Sequence, residues 1–166
     1  MSQQQAWSDR VCGLLEYLRW SLVGVGVWLG YDAASDAGSA AAAGAGLHQA
    51  LPLVVGGLCG LTGIEGLLFS AAAARRSGYV PSEYQAQSAM NNLALGGVAL
   101  IAFFADWGAG ADVALMSVAL IFFTLSAVNH FKGWLGSNRS WRGLTRPLLT
   151  LVLVVAVLPI LLKALP

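Results

Sequence analysis

Glu65 is the one acidic side chain in the apolar run from Ala50 to Ala74, and it lies ten positions before Arg75. If that run crosses a membrane, the carboxyl group sits about 15 Å by helical rise from the basic end, inside the hydrocarbon. A buried acid costs about 2.5–3.5 kcal/mol at a helix centre and is, by default, a functional candidate. Two other segments carry polar groups that can meet it. Gln85, Ser88, Asn91 and Asn92 open the apolar stretch ending at Phe104, and Ser126, Asn129 and His130 close the stretch beginning at Ala111. At about 100° per residue, Gln85, Ser88, Asn92 and Gly96 fall on one helix face, with Tyr84 and Asn91 on its flank. Ser126 and His130 are one turn apart.

The chemistry available to such a set is proton exchange and polar binding. Glu65 is expected to accept hydrogen bonds from Asn91 or Asn92, or to pair with His130, whose second ring nitrogen would then be free for a ligand. A metal site would have to use Glu65 and His130, with Glu83 near the interface. There is no Glu-x-x-His pair of the di-metal bundle type, so no metal is expected. Catalysis has less support, because no nucleophile and base are spaced to act together. The plain alternative is that the amide and hydroxyl groups simply join helices, at around 0.6 kcal/mol each.

Five segments are long and apolar enough to position these residues: about 11–31, 50–74, 86–107, 111–131 and 147–165. The reading is a single all-α transmembrane domain over 1–166, a polytopic bundle of five helices, or four if the first lies at the interface. Glu16 and Arg19 place that first segment in question, since a long arginine can snorkel. With the N-terminus inside and the C-terminus outside, Arg10, Arg19, Arg75, Arg76, Lys132, Arg139, Arg142 and Arg146 all face the cytoplasm. Only Lys163 does not. Trp28 and Trp107 then mark outer ends, and Trp134 and Trp141 inner ones. Glu65, the Gln85–Asn92 stretch and the Ser126–His130 turn consequently share the cytoplasmic half of the membrane.

Composition agrees with this placement: 57% of residues are hydrophobic, 10% are charged, and the mean hydropathy is +0.69. Soluble domains carry roughly 25% charged residues. The net charge of +1 offers nothing to nucleic acid. Cys12 and Cys59 suggest neither a disulfide nor a thiolate metal site. The Ala/Gly-rich stretch inside 32–49 reads as an external connector. Gly56, Gly60 and Gly63 lie opposite Glu65 and form a small-residue contact face, which makes the second segment either central in the bundle or the interface of a homo-oligomer. The last segment reads as a lipid-facing wall with a kink near Pro159. Asn138-Arg139-Ser140 matches a glycosylation sequon but falls on the inner side.

Pro81-Ser82-Glu83-Tyr84-Gln85, Asn92-Leu93-Ala94-Leu95-Gly96 and Asn129-His130 resemble a family of small, functionally uncharacterised bacterial multi-pass membrane proteins, over about Gly78 to His130. In that family an acid often stands where Gln87 stands here. The resemblance implies a membrane location rather than an activity.

The expected function is therefore an integral inner-membrane protein, in contact with the lipid bilayer, whose cytoplasmic-half pocket binds or conducts a proton, cation or small polar ligand. Glu65→Gln is expected to abolish pH-dependent binding or flux and leave folding intact. The alternative is an accessory subunit of a larger membrane complex that contacts a pigment, quinone or lipid, with His130 as an axial ligand. No cofactor is indicated by motif.

Overall fold

The computed structural model describes residues 2–35, 39–77, 83–136 and 141–165, the last stretch and Ser77 partly through the backbone alone. Pro81, Ser82 and the sequon Asn138–Ser140 lie outside the described residues. Everything long in the rest is helix: α1 (Gln3–Ala34), α2 (Ala40–Leu51), α3 (Leu58–Leu68), α4 (Ser70–Ser77), α5 (Glu83–Phe104), α6 (Ala109–Gly136) and α7 (Trp141–Ala164). A π-helical turn, Pro52–Gly57, joins α2 to α3, so that Ala40–Leu68 is one rod of 29 residues. This rod, α5, α6 and the Leu144–Ala164 part of α7 are each long and apolar enough to span a membrane.

The second helix thus starts ten residues before the expected boundary and ends six before it. Ala40–Gln49, expected as a connector, is helical. Ser39 caps it by accepting from the Ala42 amide, and the alanines that follow are the strongest helix formers. Its glycines are also needed for contact, since a Cβ on Gly46 would collide with the Gly30 carbonyl oxygen of α1. At the other end Phe69 leaves helical geometry (φ −126°, ψ 30°), and α4 continues as a separate short helix.

Close glycine contacts set the layout. A Cβ on Gly63 would meet the Leu93 amide nitrogen at 2.7 Å, and one on Gly96 would meet the Gly60 nitrogen at 2.6 Å, so α3 and α5 pack backbone to backbone. The glycine face of the second segment is therefore occupied within the chain, and α3 is central. Ala105–Gly108 returns the chain from α5 to α6, with Asp106 (φ 46°) and Gly108 (φ 87°) in the left-handed region. The core joins Leu47, Leu51, Val54, Leu58 and Met116 to Leu153, Val157 and Ile160 of α7. The last helix is thus packed on one side, and Pro147 and Pro159 lie within it without ending it. Its other face, with Leu151, Val152 and Val155, is exposed, as are Ile101, Phe104, Ile121 and Trp28. An apolar exterior of this extent suits lipid rather than water.

Candidate functional site

On α1 the residues Cys12, Arg19, Val23, Gly26 and Gly30 recur at steps of seven, four, three and four residues and are buried. That stripe faces the α2–α3 rod, so Arg19 points into the bundle instead of out to the interface. Its side chain leans toward the N-terminal end of α1, as helical side chains do, and there it meets Glu65. Arg19 Nη2 donates to Glu65 Oε2 at 2.5 Å, and Nη1 donates to Thr62 Oγ1 at 3.0 Å. Thr62 in turn donates to the Leu58 carbonyl at 2.6 Å. Arg19 is 8% and Glu65 4% exposed, so this is a buried ion pair.

The expected partners of Glu65 are accordingly replaced. Among the described residues, Glu65 Oε2 is taken by the Arg19 guanidinium, and Asn92 donates to the Ser88 carbonyl instead of to Glu65. Glu65→Gln would also do more than remove a titrating group, because it would leave Arg19 buried without its counter-charge.

The ion pair forms one wall of a cavity of about 790 Å³. Seven of the eight candidate residues line it: Glu65, Gln85, Ser88, Asn92, Ser126, Asn129 and His130. Asn91 does not. It is exposed on the far side of α5, one 100° step from Asn92. Gln85 donates to the Ser70 carbonyl at 3.1 Å, which anchors the start of α5 to the break between α3 and α4. Asn92 donates to the Ser88 carbonyl at 2.9 Å, and its own carbonyl oxygen Oδ1 is buried with no partner among the described residues. Arg19 Nε is in the same condition.

Several lining residues escaped the sequence reading. Arg19 and Thr62 complete the ion-pair wall, and Arg146 and Thr150 bring α7 to the site, although that helix was expected to face only lipid. The i, i+4 and i+7 steps Cys12, Glu16 and Arg19 were the available signal, since Cys12 and Arg19 are buried on one face of α1 and the half-buried Glu16 lines the cavity beside Arg19. Glu16 itself accepts from Arg76 at 2.6 Å, and Asp9 from Arg75 at 2.9 Å, which holds α4 against α1 beneath the cavity. No group of three or more His, Cys, Asp or Glu among the described residues is gathered to hold a metal ion.

A second polar contact lies at the opposite end of the bundle. His48 Nδ1 is 3.0 Å from Asp112 Oδ2, with the imidazole stacked on Phe103 at 4.8 Å between ring centres. Asp112 is 1% exposed within the first turn of α6.

An apolar-surfaced helical bundle with four helices able to cross a membrane, and a polar cavity built from their interior faces, is the class of protein these features define. A model described as "Family of unknown function (DUF6790)" matches residues 22–165, and the chain belongs to that family. The match reaches well beyond the Gly78–His130 resemblance on both sides. No curated protein and no solved structure matches the chain.

Proposed function

We propose that this is a non-enzymatic, inner-membrane binding protein that holds a small polar ligand in the cytoplasmic half of its bundle. The observation that carries the reading is the cavity itself. It gathers polar side chains from α1, α3, α5, α6 and α7 around a neutralised ion pair. A cation has less to gain there than the sequence suggested, because Arg19 neutralises the acid and repels positive charge. A hydrogen-bonding ligand has more to gain, since unmet polar atoms in a dry interior are costly.

Five crossings with the N-terminus inside fit this reading. Gly30 against Gly46 and Arg19 against Glu65 tie α1 to both halves of the Ala40–Leu68 rod, so α1 follows that rod through the bilayer. In this topology the basic residues other than Lys163 lie on the cytoplasmic side. Single-cysteine labelling from each side, in a chain lacking Cys12 and Cys59, tests the topology at Ser2 and Ser35. Labelling of both positions from one side would overturn five crossings.

The binding reading is tested by native mass spectrometry of protein extracted in mild detergent. A small-molecule adduct is expected on the wild type and a depleted one on Asn92→Leu. Identical spectra for the two would refute it, and a foreign subunit retained in fixed ratio would instead favour the accessory role in a larger complex.

A further inference from the structure

The rim of the cavity is not level with the membrane surface. Tyr84 and Leu125 both line it and are 78% and 65% exposed. Tyr84 stands in the first turn of α5, at the inner interface. Leu125 is seven residues before Lys132 on α6, about 10 Å deeper by helical rise and therefore at hydrocarbon depth. An exposed leucine at the mouth at that depth means that the opening faces lipid as well as the interface. The helices on either side, α5 and α6, are joined at the outer turn Ala105–Gly108, and in their inner halves Ser88 and Asn92 lie across the cavity from Ser126 and Asn129. The slot between these two helices is a side entrance.

Inside, two buried polar atoms of lining residues have no partner among the described residues. Arg19 Nε–H is a donor and Asn92 Oδ1 is an acceptor, on side chains of 8% and 4% exposure. Polar atoms so deeply placed are costly unless something meets them. A single group that met both would accept one hydrogen bond and donate another.

Building on the binding-cavity reading, we propose that the occupant is a single-chain amphiphile of the bilayer with a hydroxyl or protonated carboxyl head, admitted sideways between α5 and α6. The head accepts from Arg19 Nε and donates to Asn92 Oδ1, and the chain leaves past Leu125 into the hydrocarbon. The phosphate group of a phosphodiester fits less well, because it accepts hydrogen bonds but has no proton of its own to give Asn92. The volume of about 790 Å³ lies within the ~300–1,000 Å³ of small-molecule sites.

The test uses the full chain in phosphatidylcholine nanodiscs with radiolabelled hexadecanol, and empty discs as background. Saturable binding is expected. Unlabelled hexadecanol and hexadecanoic acid at pH 5 should displace it, and methyl hexadecanoate, which cannot donate, should be at least tenfold weaker. Asn92→Leu should weaken the alcohol about tenfold and leave the ester unchanged. Leu125→Trp, at a position exposed enough to leave folding untouched, should weaken both. Equal displacement by alcohol and ester in the wild type, or binding indifferent to Leu125→Trp, would overturn the proposal. If butanol competes as tightly as hexadecanol, the bilayer amphiphile is wrong while the polar cavity stands. If no probe binds and the native spectra show no adduct, both are wrong.

Discussion

Removing either member of the Arg19–Glu65 pair should cost far more than removing both. Each side chain is at least nine-tenths buried, the contact is 2.5 Å, and Thr62 takes a further guanidinium hydrogen. Breaking a buried pair from one side leaves an uncompensated charge and typically costs about 3–5 kcal/mol, whereas replacing the whole pair by apolar groups of similar size is often neutral or stabilising. Arg19→Leu and Glu65→Leu are therefore each expected to destabilise the protein by about 3–5 kcal/mol, and the double variant by much less than their sum. The chain carries its own reporter. Cys12 and Cys59 are both free and fully buried, so a thiol-reactive dye reads their exposure on denaturation in detergent. The double-mutant cycle gives the coupling directly. Strictly additive effects, or single effects below about 1 kcal/mol of the kind seen for solvent-exposed pairs, would refute the claim that this pair is desolvated.

The glycine contacts make a directional prediction. Gly96→Ala places a Cβ 2.6 Å from the Gly60 backbone and should cost about 1–3 kcal/mol, while Gly97→Ala meets nothing within 4 Å and should be neutral or slightly stabilising; thermal unfolding of the two variants in the same detergent compares them. Asp112→Leu deprives His48 of its carboxylate and should cost about 1–3 kcal/mol, with Asp112→Asn milder, as measured by the same unfolding assay. Asp9→Ala, which removes the partly exposed contact with Arg75, should change stability by less than about 1 kcal/mol, and a larger loss would mean that α4 is held more tightly than its ion pairs suggest.

The sequence pattern carried the helical class and the grouping of the polar residues, because both depend on local features: apolar run length and one helix face at 100° per residue. Seven of the eight proposed site residues reach one cavity for that reason. Asn91 does not, because it lies one 100° step round from the buried Asn92, on a flank of α5 that is surface. Helix ends were less readable. Ala40–Gln49 has only one bulky apolar residue, Leu47, of the kind by which a span is usually noticed, yet its small side chains are what allow α1 to approach to backbone contact at Gly30 and Gly46.

Arg19 is the instructive miss. Taken singly, an arginine near the start of an apolar segment is most simply placed at the interface, and a glutamate in mid-membrane is most simply neutralised by amides or by protonation. Neither assignment considers that the two residues solve one another's problem. The stripe Cys12, Arg19, Val23, Gly26 and Gly30 shows that Arg19 shares its face with the glycines that bring α1 against the rod, so it cannot face lipid while they face the core. Once α1 is seated by those glycines, its arginine is carried to the one buried acid on the neighbouring helix, and a guanidinium satisfies that acid better than any amide. The consequence for function is a change of ligand chemistry. An acid awaiting a partner attracts protons and cations, whereas a neutralised pair beside Asn92 presents hydrogen-bonding capacity without net charge, which is what an uncharged polar head entering from the bilayer can use.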